Sequence, residues 1–356
     1  MTKGFLEKSD ENILTDLNQL AKKSQGGIKV APMPIDGGVA FVTTFEEEKR
    51  SYRRFSGKID NSWKTSSYSY MISQKTPEHE LPDRDIYHHD DLHIHESGSD
   101  INENTDIFSF PKGVRAGTFF HDIFEHLDFT SVDPEHKTKL VADNLKDYGF
   151  EPKWIGPVCS MISNVLSLPI EEKSGEAFTL NSVHCEDRIN EMEFYFPLNQ
   201  ITPHQLRKVY ITHERIDISG FPDRMGKLTF PISKGFMKGY IDIVFRNKGR
   251  YYLLDWKSNF LGSHVAYYNQ DALNEVMNHE YYTLQYHLYT LALHQYLRMR
   301  QPNYCYETHF GGVIYLFIRG IDPDRGREFG VYQDRPRLAF INDLGKTLIP
   351  GYLYQN

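Results

Sequence analysis

The sequence predicts an α/β fold in which a mixed central sheet is flanked by helices. Three observations carry this expectation. Helix-period stripes come first downstream of residue 110, then two apolar strands joined by a short glycine-containing loop. A long helix then leads back to another apolar strand. Helices, strands, a helix and a strand in that order fit one sheet covered on both faces.

Near the start, Ile13, Leu14, Leu17 and Leu20 recur at helical spacing within Asn12 to Lys23, which predicts a short amphipathic helix. Val39 to Val42 reads as a strand and Glu46 to Arg54 as a charged run. Residues 1–72 are too few for a convincing core and read as an N-terminal appendage that adds helices to the main fold, or as the tail of a larger domain. After Ala116-Gly117-Thr118, the stripe Phe119, Phe120, Ile123, Phe124 and Leu127 argues for a buried helix. Helical patterns follow over Lys137 to Tyr148 and Ile155 to Leu168, and Glu191 to Phe196 alternates as a strand. Met237 to Arg246 and Arg250 to Lys257 read as two strands of a hairpin around Asn247-Lys248-Gly249. A helix rich in Leu and Tyr runs from about Tyr281 to Arg300, with Pro302 just past its end. Gly312 to Ile318 then reads as a buried strand.

The formal charge of −8 is concentrated in one stretch. Ser73 to Asp106 holds ten Asp/Glu against Lys75 and Arg84, so the remainder of the chain is neutral. With few apolar residues and no sustained period, residues 73–110 read as a flexible acidic linker. Its five histidines, His79, His88, His89, His93 and His95, suit a solvated polar segment better than a metal chelate. The third domain is then 111–356. Cys159, Cys185 and Cys305 are too scattered for a disulfide framework or a Cys-x-x-Cys metal site. The first residues lack the apolar core of a secretory signal, and runs such as Val158 to Val165 are too short to span a bilayer. The expected location is the cytoplasm.

Chemistry concentrates in the hairpin. Asp242 sits inside an apolar strand, where an unpartnered carboxylate costs several kcal/mol. Asp255 and Lys257 close the next strand and point to one face by alternation. A two-residue loop at Lys248-Gly249 sets Asp242 opposite Asp255, with Cβ atoms roughly 5 Å apart. Two carboxylates beside an amine suit a hard divalent cation such as magnesium. On pattern alone a structural Asp–Lys pair remains an equal alternative, because Glu47-x-Lys49, Glu135-x-Lys137, Glu151-x-Lys153 and Glu171-x-Lys173 repeat the spacing on ordinary surface.

In its residues the hairpin, Gly239 to Phe245 and Gly249 to Asn259, closely resembles the nuclease domain of the RecB family, the beta subunits of bacterial exodeoxyribonuclease V. The resemblance continues through Leu284 to Leu293 and His309 to Gly320, and reaches back to Gly117 to His121 and Glu191 to Tyr195. Trp63 to Ser69 looks like the family's junction between motor and nuclease, and the acidic segment falls where the family has a variable linker. The resemblance implies a PD-(D/E)xK, restriction-endonuclease-like core and a metal-dependent deoxyribonuclease. It implies Asp242, Asp255, His121 and the main-chain carbonyl of Trp256 as metal ligands, and Lys257 as the catalytic lysine. Gln285 and Tyr289 match the family's Gln-x-x-x-Tyr motif, and at i, i+4 they share a helix face. Glu193 is a further carboxylate that either assists the site or is structural. The implied cofactor is Mg²⁺, with Mn²⁺ or Ca²⁺ as substitutes. The implied partners are single- and double-stranded DNA ends, RecC-like and RecD-like subunits, and a separately encoded helicase.

No P-loop is expected, because Phe340 stands where Gly345-Lys346-Thr347 would need its earlier glycine. ATP-driven unwinding is therefore not expected from these residues, and the chain reads as a fragment, a split-gene product or an independent nuclease. Two further readings stay open. One is a catalytically silent scaffold that docks partners or guides DNA, and the other is an independent endonuclease. Arg298 and Arg300 are candidates to line a DNA path, or simply a solvated helix end.

Overall fold

A computed structural model of the chain describes residues 8–32, 57, 63–73 and 105–353, apart from 132, 173–174, 214–219, 229 and 231–232. The strand expected at Val39 to Val42, the charged run at Glu46 to Arg54 and the five linker histidines lie outside the described residues. The chain divides into two units, 1–58 and 59–356.

The first unit contains helix α1 (Asp10–Lys23), with acids in its first turn and lysines in its last, as the helix dipole favours. None of its residues is buried, and Leu14, Leu17 and Leu20 are exposed.

The second unit begins with strand β1 (Trp63–Ser66) and helix α2 (Tyr68–Ser73), both from sequence upstream of the linker. Helices α3 (Val114–His126), α4 (Pro134–Asp147) and α5 (Ile155–Ser167) follow, then a two-stranded ribbon of β2 (Ile170–Glu171) and β3 (Ala177–Phe178). Strand β4 (Arg188–Ile201) leads into α6 (Pro203–Thr212), which opens on a capping box between Thr202 and Gln205, and then α7 (Phe221–Met225). Strands β5 (Ser233–Asn247) and β6 (Arg250–Lys257) form the hairpin. Helices α8 (Gln270–His279), α9 (Tyr282–Arg300) and α10 (Tyr306–His309) connect β6 to β7 (Phe310–Phe317), followed by β8 (Val331–Asp334) and α11 (Leu338–Leu348).

The main sheet has the order β1-β5-β6-β7-β8, with β4 paired to the other edge of β5. β1 and β7 enter as parallel partners of β5 and β6, whereas the β4–β5, β5–β6 and β7–β8 pairs are antiparallel, so the sheet is mixed. This is the expected architecture, and it is consistent with a PD-(D/E)xK-like core. The loop expected at Lys248-Gly249 is there, with φ of 47° and 78° as a tight two-residue hairpin turn requires.

Two apolar clusters cover the sheet. One contains α3 and α5 side chains packed on Ile243, Phe245, Leu254, Trp256 and Leu316. The other contains α6, α9 and α11 side chains packed on Met237, Ile241, Leu253, Val313 and Tyr315. Helix α9 has fourteen of its nineteen residues buried, so it is a central core helix with no wet face before its last two turns. Its buried His287 and His294 bond through Nδ1 to the hydroxyls of Tyr210 (3.0 Å) and Tyr304 (3.2 Å). Helices α6, α8 and α11 have no counterpart among the elements expected from the sequence. Among the described residues no helix is long and apolar enough to cross a membrane.

Candidate active site

The hairpin register runs from Asn247 opposite Arg250 to Ile243 opposite Leu254. One step further it brings Asp242 opposite Asp255, as the sequence spacing requires. The backbone ladder stops there, and the Asp242 carboxylate instead accepts the Trp256 amide proton through Oδ2 at 2.8 Å. The deviation frees Asp242 from ordinary pairing and holds its head group by a charge-assisted bond.

The other edge of β5 shows the matching irregularity. Asn190 pairs with Ile243 and Met192 with Ile241, but the intervening pair, Glu191 with Asp242, is missing. Glu191 has φ of 47°, a left-handed conformation rare for a glutamate. Above this point Ile241 and Met192 face the α9 cluster, whereas below it Ile243 faces the α3 cluster and Asn190 bonds to Glu125 on α3. Each strand therefore carries one extra residue at the same level. The register survives, both strands exchange faces, and the two extra residues are the two carboxylates.

Helix α3 supplies the third group. Its apolar stripe is buried as expected, and the Phe124 ring stacks on Trp256 with centroids 4.0 Å apart and planes 15° apart. One turn earlier, His121 is buried with Nδ1 3.4 Å from Asp242 Oδ2. Ligand atoms of His121, Glu191 and Asp242 all lie within 4.8 Å of one another. One imidazole and two carboxylates at that separation form a donor set suited to a divalent cation.

Asp255 and Lys257 form a second group. Both are 1% exposed, with Lys257 Nζ 2.6 Å from Asp255 Oδ1 and 4.0 Å from the Tyr282 ring centre. Gln285 and Tyr289, on α9, are also buried, and Gln285 Nε2 donates to the Tyr289 hydroxyl at 3.2 Å. The Tyr315 hydroxyl donates to Gln285 Oε1 at 3.0 Å. Burial, and after it the nearby charge of Asp255, pushes the Tyr315 phenol well above its ordinary pKa, so it stays a donor. A chain of hydrogen bonds thus runs from Tyr315 on β7 to the Gln-x-x-x-Tyr pair.

Sequence reasoning named Glu193 and missed Glu191. Glu193 is exposed, and its Oε1 accepts from the Tyr240 hydroxyl at 2.7 Å and lies 3.3 Å from Lys238 Nζ. Those two neighbours, Tyr240 first, hold its carboxyl below the usual range. The residues that separate the two glutamates in role are those opposite them on β5, and the long excursion between Ile201 and Ser233 hides that register. Arg298 does not reach the site. Its guanidinium bonds to the Leu353 carbonyl at 2.9 Å, about 20 Å along α9 from Gln285.

The mixed sheet flanked by helices, with an acid–lysine strand end beside a second acidic strand, gives the class: an α/β fold consistent with a PD-(D/E)xK-like core. No family model matches the chain. Curated relatives do. The RecB subunit of the RecBCD enzyme of Escherichia coli (strain K12) is 38% identical over 303 residues, covering 84% of this chain and 24% of that protein. RecB of Haemophilus influenzae is 29% identical over 350 residues, covering 93% of this chain and 27% of that protein. RecB of Mycobacterium tuberculosis (strain H37Rv) is 28% identical over 338 residues, covering 85% and 30% respectively. The chain is a RecB homologue that matches a nuclease-domain-like portion of those subunits. It spans about a quarter of their length.

Proposed function

We propose that the chain is a metal-dependent deoxyribonuclease that hydrolyses DNA phosphodiester bonds, the nuclease part of a RecBCD-type subunit acting in double-strand break repair and recombination. The observation that carries this reading is the convergence of His121, Glu191 and Asp242 at the end of the strand pair that bears Asp255 and Lys257. Asp242, His121, Asp255 and the Trp256 carbonyl are the proposed ligands of Mg²⁺, with Glu191 joining them. When bound, the ion would polarise the scissile phosphate and acidify a water. Lys257 orients the attacking water and offsets charge that develops on the phosphate oxygens. Asp255 keeps that ammonium in place through the 2.6 Å contact. Gln285 and Tyr289, tied to Tyr315, position the floor on which Lys257 rests. In-line attack with departure of the 3′ oxygen leaves a 5′ phosphate. RecC-like and RecD-like subunits, and DNA ends, are the proposed partners, on the strength of what the relatives are called.

The test is incubation with linear single-stranded DNA and Mg²⁺ or Mn²⁺. Cleavage that disappears in Asp255→Ala supports the reading. Failure of the wild-type chain to cut with either metal sinks it, and cutting that survives Asp255→Ala with Lys257→Ala puts the active site elsewhere. Circular single-stranded DNA separates an end-dependent enzyme, which spares it, from an independent endonuclease.

A further inference from the structure

Above the Glu191–Asp242 level, one face of the sheet has no helix layer over it among the described residues of the second unit. Alternate residues of β5, Lys234, Phe236, Lys238 and Tyr240, lie on this face and lead to Asp242 over about 26 Å. Tyr195 stands beside Lys238 from β4, and Trp63 beside Lys234 from β1. Trp63 and Tyr195 are each 54% exposed and Phe236 44%. The buried face of the same stretch carries glycines. A Cβ at Gly239 would stand 2.5 Å from the Phe194 ring, and one at Gly235 would stand 2.2 Å from the Lys64 carbonyl oxygen. The strand therefore lies close against its inner neighbours and carries its aromatic bulk outward.

The rings alternate with amines. Trp63 and Phe236 have centroids 6.1 Å apart, and Lys234 Nζ lies 5.3 Å from the Trp63 ring centre. Lys238 Nζ lies 5.3 Å from the Tyr195 ring centre and 5.4 Å from that of Tyr240. We propose that this face is a stacking platform for single-stranded nucleic acid, whose bases lie on Trp63, Phe236 and Tyr195 and whose backbone runs along Lys234 and Lys238 toward Asp242. For the position of the reacting phosphate the proposal rests on the nuclease reading. Exposed aromatic rings interleaved with lysines match unpaired bases and their phosphates. A protein partner is the poorer fit, because lysine is depleted in the cores of such interfaces. Glu193 offsets one of the two lysine charges, so stacking dominates and the dependence on salt is shallow, with a log–log slope no steeper than about −1.4.

The test is fluorescence anisotropy of a labelled oligothymidine about twenty nucleotides long in EDTA, where binding is read without cleavage. Phe236→Ala and Tyr195→Ala each weaken binding about tenfold, as loss of one stacked base predicts. Trp63→Ala does the same, and Trp63→Phe restores binding. Of the three tryptophans only Trp63 is exposed, so bound oligonucleotide quenches intrinsic emission in the wild type and not in Trp63→Phe. Variants are compared at matched melting temperature, with Phe236→Leu as the second substitution at that position. Unchanged binding in all three alanine variants overturns the platform. So does a dimer, seen by light scattering, that Trp63→Ala abolishes, because a second copy then covers the face. The nuclease reading fails separately. Binding through the rings without cleavage in Mg²⁺ or Mn²⁺ keeps the platform and removes the enzyme, whereas cleavage indifferent to the rings does the reverse.

Discussion

The site has two halves built on opposite principles. On the α3 side, His121, Glu191 and Asp242 come from three elements and meet where both strands break their alternation. On the α9 side, Asp255, Lys257, Gln285 and Tyr289 follow from plain strand alternation and one helical turn, and every one is buried with its partner. The first half gathers negative charge around a space suited to a cation. The second has already neutralised its charge internally. Two carboxylates brought within 4.8 Å of each other repel, whereas a buried ion pair loses stability when one member is taken away.

Three single substitutions and one double variant separate the halves. The largest effect is expected at Asp242, which touches both through His121 and the Trp256 amide. Asp242→Asn retains the amide contact and should lower cleavage by about a thousandfold while abolishing Mn²⁺ binding in a calorimeter. A variant with a tenth of wild-type activity would contradict the shared role. Next is Lys257→Ala, which strands Asp255 in the core and should cost about 3–5 kcal/mol in urea unfolding. Adding Asp255→Leu with Lys257→Met in its place should return most of that stability and none of the activity. A cost below about 1 kcal/mol would show that water reaches the pair. The smallest effect is expected at Glu191→Gln. Relief of repulsion from Asp242 should raise stability in EDTA by about 1 kcal/mol, and the gain in melting temperature on adding Mn²⁺ should shrink. If the variant melts lower in EDTA, the two carboxylates do not repel each other.

The same division explains what could be read from the sequence. Asp255 and Lys257 were legible because strand alternation fixes their common face locally, whereas Gln285 and Tyr289 were visible through the family motif, and their i, i+4 spacing added only that they share a helix face. The hairpin turn at Lys248-Gly249 even set the register that carries Asp242 to Asp255. His121 was visible only through resemblance, since nothing in the stripe of α3 distinguishes a ligand from a core histidine. Glu191 was not visible at all. Its role depends on a positive φ and on pairing with a strand some fifty residues away, which no local pattern encodes. Helix α9 was found although its apolar residues surround it, because length and leucine content sufficed. Helices α6, α8 and α11 are shorter, with 10, 10 and 11 residues against 19, and α6 and α8 are also more polar. β1 was hidden for another reason: its four residues join the sheet from across the acidic segment, as a parallel partner that only tertiary contact selects.

Arg319 gives the arrangement a mechanical property. Its guanidinium is buried at the end of β7 and donates to the carbonyls of Ile107, Phe110 and Pro111, just ahead of α3, and to that of Ser258, just after Lys257. A pull on the polypeptide upstream of residue 105 meets these bonds before it meets the helix that carries His121. Each bond to a charged donor is worth roughly 1.5–3 kcal/mol, so the load is passed into the sheet at Ser258. The segment that enters α3 is moored there, so a load applied at residue 105 reaches the sheet through Arg319 before it reaches His121.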